Sequence, residues 1–104
     1  MSATTITLGP ITKDNWEEAA KLEVLPEQVG FLTPNVFSIA ESKFHDDLTT
    51  FAIYNGETMV GFTMIGRDPA DDRYWIIRFM IDRRFQRQGF GRSALRVLID
   101  HMRT

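Results

Sequence analysis

The run Gln86-Arg87-Gln88-Gly89-Phe90-Gly91 stands between an apolar stretch, Tyr74–Ile81, and a helical pattern over Arg92–Arg103. A helix N-terminus presents unpaired backbone N–H groups and the positive end of the helix dipole. Glycines let the main chain approach a ligand with no Cβ in the way. Arg87 and Arg92 add charge beside those amides, so the junction suits a phosphate or pyrophosphate. Glycines at this spacing also serve as a turn that tightens strand-to-helix packing. The run is not a Walker loop, because no glycine is followed by Lys-Ser or Lys-Thr. The dinucleotide fingerprint also fails, for want of a third glycine.

The elements that must position this junction are legible upstream. Thr5–Leu8 alternates and reads as a short strand closed by Gly9-Pro10. Asp14, with Glu17 three residues on, predicts an N-cap and a helix whose buried stripe is Trp16, Ala20 and Val24. Pro26 falls just past that helix, and Leu25–Thr33 reads as an irregular connection. Thr33-Pro34 predicts an N-cap and an N1 proline for a second helix, Asn35–Phe44, with Val36, Ala40 and Phe44 on one face. Asn55-Gly56 between two apolar runs, Thr49–Tyr54 and Glu57–Arg67, predicts a hairpin. Asp68–Arg73 is a polar loop. Tyr74–Ile81 is apolar on both faces apart from Arg78 and predicts a central, doubly covered strand. The last helix is expected to bury Ala94, Leu95, Leu98 and Met102. The order is β-α-α-β-β-β-α, an α/β chain of the α+β type.

Composition narrows the chemistry. At 104 residues the chain suits one domain, 1–104. No apolar run reaches the length of a membrane span, and the N-terminus lacks the pattern of a secretory signal. There is no cysteine, which removes disulfides and thiolate chemistry and fits a cytoplasmic protein. Two histidines, His45 and His101, do not make a zinc site, so no metal is expected. The net charge of −2 argues against general nucleic-acid binding. Charge is uneven: residues 1–62 carry three lysines against nine carboxylates, and residues 63–104 carry nine arginines against five aspartates. Such a split suits a cationic ligand at one end and an anionic one at the other, or charges that decorate solvated faces. Trp16 and Trp75 are expected in the core. Arg78 either pairs a buried carboxylate or lies in a groove. Arg83 and Arg84 either steer an anion toward the junction or sit in an exposed loop.

The segment Phe79-Met80-Ile81-Asp82-Arg83-Arg84-Phe85-Gln86-Arg87-Gln88-Gly89-Phe90-Gly91-Arg92-Ser93-Ala94-Leu95 resembles the acetyl-CoA motif of the GNAT N-acetyltransferase superfamily: a hydrophobic strand, then Gln/Arg-x-x-Gly-x-Gly/Ala opening a helix. Pro26-Glu27-Gln28, Pro34-Asn35, Ser38–Ser42, Tyr54-Asn55-Gly56 and Gly61-Phe62 resemble the bacterial diamine and polyamine acetyltransferase branch.

The resemblance implies a GNAT fold, with a mixed, mainly antiparallel sheet flanked by helices. It implies acetyl transfer from acetyl-CoA to a small amine such as spermidine or spermine, by direct attack on the thioester. Phe79, Met80 and Ile81 would pair with the pantetheine arm, and a free N–H near Met80 or Ile81 would polarise the thioester carbonyl. Arg87, Gln88, Gly89, Phe90, Gly91 and Arg92 would hold the pyrophosphate. Glu41, then Glu27, are the expected amine contacts, though a solvated surface carboxylate would read the same. The family's pattern continues with another strand, a helix and two closing strands, whereas this sequence stops at Thr104, so a C-terminally truncated fold is expected. A homodimer, or completion by another chain along the exposed strand, follows as an expectation.

Overall fold

The computed structural model describes residues 5–25 and 34–103. The order is β1 (Ile6–Pro10), α1 (Trp16–Lys21), α2 (Asn35–Ser42), β2 (Leu48–Asn55), β3 (Thr58–Asp68), β4 (Arg73–Ile81), a 3-10 turn (Arg83–Phe85) and α3 (Phe90–Met102). The four strands form one antiparallel sheet in the order β1-β2-β3-β4. The predicted order of elements is the observed one.

The β2–β3 hairpin turns at Gly56-Glu57 rather than Asn55-Gly56, since Asn55 still pairs with Thr58. Of the two turn residues only Gly56 has a positive φ, 61°. A glycine in the first turn position matches the right-handed twist of the flanking strands. Two bulges interrupt the ladders, one at Val60 on β3 and one at Ile77 on β4.

Alternation along the strands builds two cores. Ala52, Met59, Phe62, Met64 and Met80 face α1 and α2, where they meet Ala19, Leu22 and Ile39. Ile53, Val60 and Ile81 face α3, where they meet Phe90 and Ala94. Ile53 and Phe62 are fully buried, and each such side chain contributes about 1.5–3 kcal/mol through removal from water. The result is a sheet between two helical layers.

Several sequence expectations are corrected. Asn15, not Asp14, precedes α1, and its side chain serves the preceding loop: Oδ1 accepts from the Thr12 amide at 2.7 Å and Nδ2 donates to the Pro10 carbonyl at 2.9 Å. Ala19 and Leu22 are the buried residues, Ala20 and Val24 of the expected stripe are half-buried against the same core, and Trp16 is 40% exposed. On α2 the buried face is Asn35, Ser38 and Ile39, opposite the expected one; Val36 and Phe44 are exposed. The cause is polar: Asn35 Nδ2 donates to the Ala19 carbonyl at 2.9 Å and reaches Met80 Sδ at 3.6 Å, which fixes the rotation of the helix. The strand β4 is an edge strand, and Tyr74, Trp75, Ile76 and Ile77 are exposed. Helix α3 starts at Phe90, two residues early, and buries Phe90, Ala94 and Leu98, with Leu95 exposed. Pro26 and Thr33 lie outside the described residues.

Candidate active site

The end of β4 and the start of α3 are brought together as the sequence implies. Gly89 precedes α3 in the left-handed region, with φ 83°, and Arg87 has φ 65°. These two residues turn the chain from the 3-10 segment into the helix. The first backbone bond of α3 runs from the Ser93 amide to the Gly89 carbonyl at 3.2 Å. The amides of Phe90, Gly91 and Arg92 therefore precede the helical ladder and point out of its positive end. Phe90 is buried beside Ile81 and anchors this end, while Arg87, Gln88, Gly89 and Arg92 are exposed. A Cβ placed on Gly91 would lie 3.7 Å from Ile81 Cγ1. Gln86 Nε2 donates to the Ile81 carbonyl at 2.9 Å and ties the loop to the strand that leads into it.

β4 offers its free main-chain edge beside these amides. The Asp82 amide donates to the Val60 carbonyl at 2.7 Å, toward β3. Antiparallel alternation then sets Met80 toward β3 and turns the N–H groups of Ile81 and Phe79 to the open edge. Of the two candidates for a free strand N–H, Ile81 occupies the outward position.

Glu41 lies on α2, across the sheet from α3. Its Oε1 is buried without a hydrogen-bond partner, as are Ser38 Oγ and Arg78 Nε. Ser38 is fully buried on the same helix face. Arg78 stands two residues before Met80 and so shares the face that meets α1 and α2. Among the described residues it pairs with no carboxylate; its Nη1 donates to the neighbouring Ile77 carbonyl at 3.0 Å. Buried polar atoms without partners are costly, and these three lie on the α1–α2 face of the sheet, two on α2 and one on β4. Glu27 lies outside the described residues.

Asp82, directly after β4, was not foreseen. It is 2% exposed. Its Oδ1 accepts from the Glu23 amide at 2.7 Å; its Oδ2 accepts from the Arg84 amide at 3.1 Å and from Arg84 Nε at 2.7 Å. Burial alone would push this carboxyl up, but the Arg84 guanidinium and the two amides outweigh burial and hold it below its ordinary value. An aspartate heading a turn is a sequence signal for this kind of capping. Arg84 also lies over the Phe85 ring, 5.1 Å from its centroid.

Other polar residues stand apart from the junction. A cavity of about 720 Å³ is at the far end of the sheet, between the β3–β4 turn and the end of α3. Tyr74 and His101 line it; His101 also meets the Phe51 ring edge-on, with centroids 5.1 Å apart. Tyr54 accepts from Asn15 Nδ2 at 3.1 Å, beside α1. Trp75 is half exposed, not in the core. Among the described residues no group of three His, Asp or Glu stands close enough to hold a metal ion, and no helix is long and apolar enough to cross a membrane.

Known proteins share this fold. The chain is 29% identical over 103 residues to the spermine/spermidine N(1)-acetyltransferase of Bacillus subtilis, which covers 93% of this chain and 68% of that one. Its fold is similar to the ribosomal-protein-S18-alanine N-acetyltransferase of Escherichia coli, with TM-score 0.68 and 20% identity; the match covers 94% of this chain and 59% of that one. It is also similar to the PaiA N-acetyltransferase of Thermoplasma acidophilum, solved in complex with coenzyme A, with TM-score 0.64, 13% identity, and coverage of 95% and 72%. The profile of the Acetyltransferase (GNAT) family matches residues 16–104. With that match spanning nearly the whole chain, and the strand, glycine loop and helix in the family's order, this protein belongs to the GNAT acetyltransferase family.

Proposed function

We propose that this chain binds acetyl-CoA along the open edge of β4 and at the start of α3, and transfers its acetyl group to a primary amine of a small diamine or polyamine such as spermidine or spermine. The observation that carries this reading is a pair of main-chain donor sets on either side of the loop: the outward N–H groups of Phe79 and Ile81 on β4, and those of Phe90, Gly91 and Arg92 at the start of α3, with the amides of residues 82–85 between them bonded within the protein. Pantetheine would pair with the strand, the pyrophosphate would take the helix amides, and Arg87 and Arg92 would add charge. The Ile81 N–H would stand about 3 Å from the thioester oxygen and stabilise the charge that develops there.

On the opposite face Glu41, with Ser38 beside it on α2, is the proposed contact for the cationic acceptor. The acidic excess of residues 1–62 and the name of the Bacillus relative support a polyamine. The amine must lose a proton before it attacks, and Glu41, directly or through water, is the proposed acceptor of that proton. The neutral amine nitrogen then bonds to the carbonyl carbon, the C–S bond breaks with its electron pair going to sulfur, and the departing CoA thiolate takes up the proton that the new amide nitrogen sheds. The protein's part is to hold two substrates in reach of one another. The lack of cysteine fits the cytoplasm as the compartment.

The test is release of free CoA from acetyl-CoA and spermidine, beside calorimetry with acetyl-CoA. Turnover is expected, and Glu41→Gln should raise the KM for spermidine by about tenfold and lower kcat by about a hundredfold, with acetyl-CoA binding unchanged. No binding of acetyl-CoA by the intact protein would sink the reading.

The exposed Tyr74–Ile77 run favours a second reading, in which another chain, a second copy included, completes the sheet along β4. Acetyl-CoA binding with no turnover by the isolated chain is its signature.

A further inference from the structure

The two substrate-binding regions of the proposed site lie on opposite faces of the sheet, yet one buried carboxylate is bonded toward both. From Asp82 Oδ2 the bonds run forward to the Arg84 amide and guanidinium, in the 3-10 turn that leads into Gln86–Arg92. From Oδ1 they run back to the Glu23 amide at 2.7 Å, two residues past the end of α1. Glu23 is held a second time, by the Arg83 amide donating to its carbonyl at 2.6 Å. Ala19, on α1, accepts from Asn35 at the first residue of α2, which carries Ser38 and Glu41. The path from the helix with the acceptor candidates to the glycine loop thus consists of short bonds, with Asp82 at its centre.

We infer that Asp82 is a positioning residue that fixes the acceptor-bearing helices and the acetyl-CoA loop relative to one another. Its kinetic consequence rests on the proposed acetyl transfer; its structural consequence does not. Asp82 touches neither reacting atom. Its carboxylate takes donors from both segments at once. Asparagine would keep one acceptor oxygen and replace the other with a donor, so at least one side must be released. Phe85 and Phe90 pack the two ends of the loop against the α3 face of the sheet, but Arg87, Gln88 and Gly89 between them are exposed, and the link to the α1–α2 face runs through the Asp82 and Glu23 bonds.

Two variants test this. Asp82→Asn disrupts the centre. Glu23→Pro deletes only the amide that donates to Oδ1, and Leu22 already has the extended ψ of 139° that a residue before proline needs. Glu23→Ala keeps that amide and is the control for the exposed Glu23–Arg83 ion pair at 3.9 Å.

Amide hydrogen exchange on the full chain is the first readout. Glu23→Pro should speed exchange at Gln86–Arg92 by about tenfold, as for loss of one charge-assisted bond, although the change is on the far side of Asp82. Asp82→Asn should speed it both there and in α2. Faster exchange confined to the mutated side overturns the inference, as does an unchanged loop.

Steady-state kinetics is the second readout. Asp82→Asn should raise the KM for acetyl-CoA and for spermidine together, about tenfold each, with kcat within about threefold. A lower melting temperature with both KM values intact overturns the inference. If Asp82→Asn does not fold, Glu23→Pro decides alone. If the unmodified chain has no turnover, the proposed function falls and the exchange data still decide this inference.

Discussion

A methyl group fits at Gly91. An added Cβ meets only Ile81 Cγ1, at 3.7 Å, an ordinary contact. Gly91 also lies inside α3, where alanine is the better helix former by up to about 1 kcal/mol. Gly91→Ala should therefore leave the melting temperature unchanged or raise it. The same methyl would stand where the main chain must approach a pyrophosphate, so calorimetry should show acetyl-CoA affinity reduced by at least about tenfold. Unchanged affinity would move the anion site elsewhere. Gly89 is a poorer probe. Its φ of 83° makes any side chain there strained, by about 1–2 kcal/mol, so lost binding would be confounded with lost structure.

Among the elements, β3 and β4 show what the sequence conceals. Gly61 looks like an ordinary strand residue, yet a Cβ there would lie 2.4 Å from the Met80 carbonyl oxygen and 2.9 Å from Ile81 Cδ1. Gly61→Ala should push β4 away from β3 where the free N–H groups are presented, and cost about 1–3 kcal/mol in urea unfolding. An unchanged midpoint would mean the strands adjust without strain. The glycine loop and α3 were legible because a turn signal, a helix start and a long apolar stripe agree. Helices α1 and α2 were legible as helices but not in their rotation. Six and eight residues make about two turns, too few for apolar spacing to outvote a polar anchor such as Asn35. The edge position of β4 was concealed for another reason. An apolar run such as Tyr74–Ile77 reads alike whether the sheet is covered or open beside it. Glu41 was readable as an acid on a helix; its partnerless Oε1 follows from packing that no local pattern encodes.

Over the whole molecule, the sheet is closed on the β1 side by a five-residue strand ending in proline and open on the β4 side along nine residues. Charge does not guard the middle of that open edge; Arg73 and Arg78 flank four exposed apolar side chains. Sedimentation velocity should show association that grows with concentration, and Trp75→Glu, at a half-exposed site, should shift the protein to monomer with stability altered by less than about 0.5 kcal/mol. A single monomeric species for both proteins at high concentration would remove a second copy as the chain that completes the sheet.

The strands β2, β3 and β4 follow one another across a two-residue and a four-residue connection, whereas β1 reaches its partner across both helices. Nearest neighbours along the chain meet soonest, so the three-strand meander assembles early in refolding, before α3 has docked on one of its faces. During that interval the Tyr74–Ile77 ribbon is available to any other unfinished copy, and recovery of native protein should decline as chains are refolded at higher density.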